Sequence, residues 1–204
     1  MSNKYINSWA ESRDTFIQQL NLNIYQLNTR YPEHIVNIIQ ILNNACDITR
    51  VVDVGCGSGF LCPIIQRHFP SVQYIGYDYS IHAIDIATQQ WGPYFSLKNY
   101  KDLQQLDFQN GDIIIENALA DILPNGDECI EFLLSLNQQK VLLSRVRTTE
   151  KDSFFDIYQA YNITTYSYSH NITNLIDIFN KYNYNYTTYP IFNGDMYNIL
   201  LEKK

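Results

Sequence analysis

The spacing of apolar residues divides the chain into two parts with different organisation. Residues 9–27 and 32–44 carry apolar side chains at intervals of three and four, which is the spacing of helices with one packed face. From residue 50 onward, short runs rich in valine and isoleucine alternate with helical segments. We therefore predict a single domain of residues 1–204, with a helical cap over residues 1–48 and an α/β core over residues 49–204.

The short apolar runs predict the strands of one sheet. They cover residues 50–54, 72–77, 94–98, 112–116 and 140–144, with predicted helices at 61–69, after Ser80 and at 127–136. Strands that alternate with helices form parallel sheets, and right-handed crossovers place the helices on both faces. The chain ends in two strand-like runs around Asn193 and Gly194, a hairpin turn signal. The predicted fold is α/β, a mostly parallel sheet with an antiparallel C-terminal hairpin.

The segment VVDVGCGSGF, residues 51–60, holds three of the chain's 8 glycines between a predicted strand and a predicted helix. Glycine permits positive φ and close approach of a ligand, and free N–H groups at a helix start bind polar ligand groups. The spacing GxGxG differs from the dinucleotide pattern GxGxxG, because Phe60 takes the place of the third glycine. No Lys-Ser/Thr pair follows, so the segment is not a P-loop.

At these residues the chain resembles the class I S-adenosylmethionine-dependent methyltransferases. The first motif of that family is an acidic residue, any residue and GxGxG, which DVGCGSG matches from Asp53 to Gly59. Its second landmark, an acidic residue that ends the second strand, falls on Asp78 in YIGYDYS, where a carboxylate can accept both ribose hydroxyl protons. The resemblance covers residues 50–145 well and the final hairpin only in architecture. It implies a Rossmann-like fold and S-adenosylmethionine as the cofactor.

The resemblance also implies which residues hold the cofactor. An aspartate that often follows the third strand of the family is replaced here by Asn99, with Tyr100 beside it and Asp102 as the alternative. The segment DIIIENALADIL is similar to the fourth strand and its loop, which places Glu116 and Asn117 near the methionine part of the cofactor. The expected cofactor-binding set is Asp53, Gly55, Cys56, Gly57, Ser58, Gly59, Asp78, Tyr79, Asn99, Tyr100, Glu116 and Asn117.

Methyl transfer from a sulfonium requires alignment of donor and acceptor, and a hydroxyl acceptor must lose a proton. We predict His170 as the general base, because it lies where the chain leaves the carboxyl edge of the sheet. Arg145, after the fifth strand, is predicted to hold an anionic acceptor. The alternatives are a loop histidine without a role, an arginine paired with a surface carboxylate, and Asp121 or Glu116 as the base.

Residues 147–169 form a long connection, and we expect a lid there. Its aromatic residues are Phe154, Phe155, Tyr158, Tyr161, Tyr166 and Tyr168. They are expected either to wall an acceptor pocket together with Tyr5 and Trp9, or to pack as core over an extra helix.

Composition and the end of the fourth strand indicate which kind of molecule accepts the methyl group. With 14 basic and 21 acidic residues, the net charge of -7 argues against contact with phosphate backbones. The fourth strand ends in ENAL and lacks the Asn/Asp-Pro-Pro-Tyr/Phe pattern of enzymes that methylate amino groups of bases. We therefore predict a small-molecule acceptor, a hydroxyl group of a sugar or metabolite, and no nucleic acid. N-methylation, a protein methyltransferase and a non-catalytic subunit that binds S-adenosylmethionine stay open.

Cysteine usage and hydropathy indicate in which cellular compartment the protein is expected. The 4 cysteines show no CxxC spacing and no clustered histidine, so we predict no metal site. The sequence has neither a secretory signal nor an apolar run of the roughly 18 residues that span a membrane. We expect a reduced, cytoplasmic protein without membrane contact, either a monomer or a homodimer.

Overall fold

A computed structural model describes residues 8–204, and its first part is helical. Helix α1 spans Ser8–Glu11, α2 spans Arg13–Asn28 and α3 spans Glu33–Asn44. The side chain of Ser12 caps α2 by accepting a hydrogen bond from the N–H of Thr15. Buried isoleucines on one face of α3 hold it against the sheet, as the helical spacing of the sequence predicts.

One seven-stranded sheet forms the centre of the molecule. Its strands are β1 (Arg50–Val54), β2 (Gln73–Asp78), β3 (Phe95–Leu97), β4 (Asp112–Asn117), β5 (Lys140–Val146), β9 (Tyr184–Ile191) and β10 (Met196–Lys203). They lie side by side in the order β3-β2-β1-β4-β5-β10-β9. Strands β1 to β5 run parallel, and β10 is antiparallel to both β5 and β9. The prediction of a mostly parallel sheet with an antiparallel C-terminal hairpin is confirmed.

Helices cover both faces of the sheet. They are α4 (Leu61–His68), α5 (Ile81–Trp91), α6 (Gly126–Ser135) and α7 (Ile172–Lys181). Successive strand residues face opposite sides, so Val52 packs with α6 and α7 while Val51 packs with α3, α4 and α5. This arrangement confirms the predicted Rossmann-like fold. Within residues 8–204, no helix is both long enough and apolar enough to cross a membrane.

The connection after β5 folds as strands, neither as an irregular loop nor as an extra helix. Strand β6 (Thr148–Thr149) leads to β7 (Phe154–Ala160), which pairs antiparallel with β8 (Ile163–Asn171). Tyr166 and Tyr168 of β8 are buried, whereas Phe154 and Tyr158 of β7 are exposed. We call β7 and β8 the hairpin below. Its action as a lid stays a prediction.

Candidate functional site

The glycine loop lies between β1 and α4, and its shape requires glycine. Gly55, Gly57 and Gly59 all have positive φ, at 75°, 54° and 79°. A Cβ on Gly57 would lie 2.7 Å from Gln19 Oε1, so there is no room for a larger residue without a shift of that side chain. The N–H groups of Gly55 and Cys56 donate to Tyr77 O at 2.8 and 3.0 Å, which fixes the loop to the end of β2.

Asp78 ends β2 directly beside this loop. One carboxylate oxygen accepts the N–H of Gly57 and the other accepts the N–H of Ser80, both at 2.9 Å. Burial raises the pKa of Asp78, although hydrogen bonds from the backbone of Ser80, Gly57 and Tyr79 oppose the shift. A carboxylate has about four lone-pair sites, and the three backbone N–H groups leave one of them for a ligand hydroxyl.

Two neighbouring cavities open above the loop. The first has a volume of about 140 Å³ and is also lined by Asp53, Cys56 and His34. The second has a volume of about 120 Å³ and is also lined by Asp78 and Asp121. Both are lined by Gln19, Gly55, Gly57, Asn117, Arg145 and Tyr161. The predicted site residues of β1, β2, β4 and β5 thus meet at one edge of the sheet.

Asp53 in β1 presents an unsatisfied oxygen. Its side chain is buried, and Oδ2 accepts the hydroxyl of Tyr74 at 2.6 Å. Oδ1 is buried and has no hydrogen-bond partner among residues 8–204. Burial raises the pKa of Asp53 to about 7, with the Tyr74 hydrogen bond opposing and nearby Asp78 adding to the shift. An unpartnered buried oxygen is costly, so this position suits a ligand that donates a hydrogen bond or carries positive charge.

Arg145 projects from the end of β5 between the two cavities. Its Nε donates to Asn117 Oδ1 at 3.1 Å and Nη2 donates to Asn117 O at 3.0 Å. In the part of the chain that the structure describes, Arg145 forms no ion pair with a carboxylate. The expected alternative of a surface ion pair is therefore not observed, and the guanidinium is left with unused donors toward the cavities.

Two loop residues of the predicted set differ in their surroundings. Cys56 lines the first cavity, and burial raises the pKa of its thiol well above the ordinary value, so the thiol stays protonated. Ser58 is fully buried and lines neither cavity. Its N–H donates to Gln19 Oε1, its hydroxyl accepts from Asn23 and its carbonyl accepts from Trp91 Nε1. Ser58 therefore attaches α2 and α5 to the loop, and all its polar groups are used within the protein.

Glu116 lines neither cavity. Its Oε2 accepts the N–H groups of Leu119 and Ala120 at 2.9 and 3.2 Å, which fixes the turn after β4. Burial raises the pKa of Glu116 to about 7, against these two hydrogen bonds. The next residue, Asn117, lines both cavities, so of this predicted pair only Asn117 faces them.

The residues expected near an adenine ring are not brought to the cavities. Asn99 Oδ1 accepts the N–H of Lys101 and caps the short turn after β3. The ring of Tyr100 packs edge-on against Phe132 of α6, with 5.7 Å between ring centroids. Tyr79, by contrast, lines the second cavity beside Asp78.

His170 does not line either cavity. It is buried at the end of β8, with Nδ1 at 2.6 Å from Asp127 Oδ1 and its ring against Tyr168. Asp127 also accepts hydrogen bonds from Ser153 and Tyr168, so these groups form one half-buried cluster at the hairpin. The imidazole is used in packing away from these two cavities, and the role of His170 as the general base stays a prediction.

Sequence reasoning missed His34, which lines the first cavity from the first turn of α3. Only 7% of it is exposed, and Nδ1 has no partner in the described chain. Burial, and then the charge of Arg145, lower the pKa of His34 to about 3. No local signal reveals this residue, because its surroundings come from strands that follow more than a hundred positions later.

Part of the predicted aromatic wall is present. Trp9, Tyr158 and Tyr161 line the second cavity. The N-terminal helices and the hairpin therefore both contribute to its wall. Tyr5 lies outside the described residues. Across residues 8–204, no group of three or more His, Cys, Asp or Glu side chains is arranged to hold a metal ion.

Comparison with known proteins finds a family match over the part of the chain that forms the cavities' sheet edge. A family model described as a methyltransferase domain matches residues 47–178, which run from before β1 into α7. The match therefore includes the glycine loop, Asp78, Asn117 and Arg145. Among proteins with curated descriptions, none matches the sequence.

Solved structures share the fold at low identity. Magnesium protoporphyrin IX methyltransferase from Synechocystis, crystallised with S-adenosylmethionine, is similar at 18% identity and a TM-score of 0.59, covering 82% of this chain and 76% of its own. The sugar N-methyltransferase from Streptoalloteichus is similar at 7% identity and a TM-score of 0.63, covering 91% and 92%. An amino pentose methyltransferase from Micromonospora echinaspora is similar at 10% identity and a TM-score of 0.61, covering 83% and 90%.

Proposed function

Because the chain belongs to the methyltransferase domain family and uses S-adenosylmethionine, we propose that it methylates a small molecule at a hydroxyl group of a sugar or another metabolite. The observation that carries this proposal is the meeting of Asp53, the glycine loop and Asp78 beneath the two cavities. These groups come from the carboxyl ends of the adjacent strands β1 and β2, the edge at which open α/β sheets bind ligands.

The residues at this edge fit the cofactor. S-adenosylmethionine supplies a methyl group activated by a sulfonium charge. We propose that Asp78 accepts a ribose hydroxyl proton and that the unpartnered Oδ1 of Asp53 accepts the ammonium group. The positive φ of Gly55 and Gly57 removes side chains from the path of approach.

The acceptor is proposed to lie toward β4 and β5, where Asn117, Arg145, Tyr158 and Tyr161 line the second cavity. A proton acceptor is available there in Asp121, whose Oδ1 is buried and unpartnered among residues 8–204. Burial raises the pKa of Asp121, opposed by the charges of Arg147 and Arg145. A carboxylate with a raised pKa takes a proton more readily, so we propose Asp121 as the general base in place of His170.

An amine is the second candidate acceptor. The same unpartnered oxygen of Asp121 would bind an ammonium group beside the rings of Tyr158 and Tyr161 and take its proton, which frees the nitrogen lone pair that accepts the methyl group. Two of the similar structures are a sugar N-methyltransferase and an amino pentose methyltransferase. Mass spectrometry of products formed from pooled hydroxy sugars and amino sugars decides between the two, since O- and N-methylated products fragment differently.

Replacement of Asp78 by asparagine tests cofactor binding. We expect the dissociation constant for S-adenosylmethionine, measured by calorimetry, to rise at least about tenfold in Asp78→Asn, a loss of about 1.4 kcal/mol. The reason is that the amide removes negative charge and can place a donor toward the ribose hydroxyls. Asp85→Asn, on the exposed face of α5, makes the same chemical change away from the cavities and serves as the control. Equal affinity of the Asp78→Asn and Asp85→Asn proteins would count against the site.

A further inference from the structure

Strand β9 forms one edge of the seven-stranded sheet and pairs with β10 on its inner side. Four successive residues in its middle, from Asn185 to Thr188, are exposed. An edge strand presents a row of unpaired N–H and C=O groups, and such a row can pair with a strand of another chain. The outer side of β9 is therefore a candidate interaction surface, away from the cavities.

The hydrogen bonds to β10 decide which residues of β9 present these groups outward. The N–H of Lys204 donates to Asn183 O at 2.9 Å, so these two residues form a hydrogen-bonded pair. Such pairs alternate along an antiparallel ladder with pairs whose N–H and C=O groups point away from each other. Because the register of β9 against β10 is unbroken, Tyr186 and Thr188 point outward with their backbone groups. Pro190, which has no N–H, falls on the same outward series, as expected in an edge strand.

These outward groups have no partner within residues 8–204. Proteins protect edge strands against pairing by short length and by charged side chains. Strand β3, at the opposite edge of the sheet, has only three residues, and β7 of the hairpin carries the exposed Asp156. Strand β9 has eight residues, none of them charged, and its single proline stands next to its last residue. Its outer edge is thus long and uncharged, and its tyrosines and threonines favour strands.

Charges at the two ends of β9 favour antiparallel pairing with an identical strand. Lys203 and Lys204 outnumber Glu202 beside the start of β9, whereas Glu33 and Asp195 lie beside its end. Across residues 8–204, none of these five side chains forms an ion pair. An antiparallel pair of two β9 strands brings the basic end of each to the acidic end of the other, while a parallel pair brings like charges together.

We propose that the outer edge of β9 binds the same edge of a second copy of this chain, so that two sheets join into one across a two-fold axis. The axis lies at Thr187, the centre of the outward series, where Tyr186 pairs with the partner's Thr188. Each such pair exchanges two hydrogen bonds, and the axis repeats it. An aromatic side chain opposite a β-branched one is a favourable cross-strand pair. The inference does not depend on the proposed function.

Charge placed at the axis tests this surface. We expect sedimentation velocity of the wild type over a dilution series to show a monomer–dimer equilibrium, because a two-fold contact uses the edge of both copies and association then stops. Thr187→Lys puts two positive charges directly opposite each other, which should raise the dissociation constant at least about tenfold. Asn185→Lys adds the same charge to the same face of β9, but the two lysines are then roughly 14 Å apart, so the dimer is expected to persist.

A disulfide tests the register. All variants carry Cys46→Ser, which removes the exposed cysteine and leaves three buried ones. Two copies of Thr187→Cys should form a covalent dimer on mild oxidation, because opposite residues of a non-hydrogen-bonded pair have Cα atoms about 4.5 Å apart, within the range of a disulfide. Asn185→Cys, roughly 14 Å from its copy, should stay monomeric on a non-reducing gel.

Three results would overturn the proposal. The first is a wild type that stays monomeric, or grows beyond the dimer, at every concentration. The second is a dimer that Thr187→Lys and Asn185→Lys weaken equally. The third is crosslinking of Asn185→Cys as fast as that of Thr187→Cys. Calorimetry with S-adenosylhomocysteine shows that the variants are folded, since Thr187 lines neither cavity. A wild type that dimerises without binding S-adenosylhomocysteine would contradict the proposed function and leave this surface in place.

Discussion

At the scale of single residues, buried carboxyl groups gather near the carboxyl edge of the sheet. Asp53, Asp78 and Glu116 lie at or near the carboxyl ends of β1, β2 and β4, and each is more than nine-tenths buried. Burial raises the pKa of all three carboxyl groups. Such costs are typical of binding and catalytic sites, because the ligand supplies the missing partners.

The backbone of Arg145 is strained, which also costs folding free energy. Its φ of 64° lies in the left-handed region, which disfavours a residue with a Cβ by about 1 kcal/mol. The N–H of Arg145 is held by Asn198, and its side chain by Asn117. The strained conformation directs the guanidinium along the end of β4 and into the cleft, which a regular continuation of β5 would not do.

The pKa of His34 predicts sensitivity to acid. Because folding lowers this pKa from 6.5 to about 3, the neutral ring stabilises the fold above pH 6.5, and the contribution is lost as the pH falls. At pH 5 the loss is on the order of 2 kcal/mol. We expect the free energy of unfolding to fall less between pH 8 and pH 5 in His34→Phe than in the wild type, as measured by urea denaturation.

Comparison of two pH values cancels the constant effect of removing the imidazole. His82, in the first turn of α5, lines neither cavity, and His82→Phe removes an imidazole there as the control. Identical pH dependence in wild type and His34→Phe would contradict the prediction.

At the scale of elements, Asp127 in the first turn of α6 anchors the hairpin. It accepts hydrogen bonds from His170 at the end of β8, from Ser153 before β7 and from Tyr168. Burial raises the pKa of Asp127, but the bonds from His170 and Ser153 outweigh it, and the net pKa lies below the ordinary value. Since the hairpin supplies Tyr158 and Tyr161 to the second cavity, this anchor places part of the acceptor wall.

Removal of the anchor is expected to cost stability and to leave cofactor affinity unchanged. Asp127→Ala should lower the free energy of unfolding by about 2 kcal/mol or more at pH 7, because it leaves buried donors unpaired. The folded pKa is depressed, so this contribution is present above the unfolded value near 3.8 and is lost as the pH falls through the folded value. Urea denaturation and calorimetry with S-adenosylmethionine measure the two effects.

Asp156→Ala, at an exposed position of β7, is the matched control and is expected to change stability little. If the Asp127→Ala and Asp156→Ala variants lose the same free energy of unfolding, Asp127 does not anchor the hairpin. Loss of cofactor binding in Asp127→Ala at unchanged stability would return His170 and its partner to the catalytic site.

At the scale of the whole molecule, the cavities are enclosed by parts of the chain that are distant in sequence. Gln19 and Asn23 of α2 bind Ser58 of the loop, at separations of 39 and 35 residues. Trp9 Nε1 donates to Thr165 of the hairpin at 2.8 Å, across 156 residues. A ligand in the cleft therefore touches the N-terminal helices, the sheet edge and the hairpin together, so binding is expected to stabilise the entire fold.

A thermal shift measures this coupling. At a concentration one hundred times its dissociation constant, S-adenosylhomocysteine should stabilise the folded protein by about 2.7 kcal/mol. For a domain of this size, the melting temperature is then expected to rise by roughly 5–10 °C. At the same concentration Asp78→Asn should show a much smaller rise and Asp85→Asn the full one. An unchanged melting temperature of the wild type at saturation would contradict the prediction.

The sequence by itself determined the βα alternation, the glycine loop and the proximity of Asp53 and Asp78. These features are local, because strand and helix periods repeat within a few residues. Adjacent parallel strands also end at one edge, so two carboxylates that end consecutive strands must lie close together.

The tertiary structure alone decided the hairpin, the packing of His170 and the place of His34 in the cleft. The run after β5 is rich in tyrosine and threonine, which favour strands, but that preference depends on its surroundings, and the pairing of β7 with β8 provides them. His34 meets Asn198 across 164 residues, and contacts of that range leave no trace in local spacing. The position of His34 follows from how β10 packs against α3, and that of His170 from how β8 packs against α6, which are properties of the packed molecule.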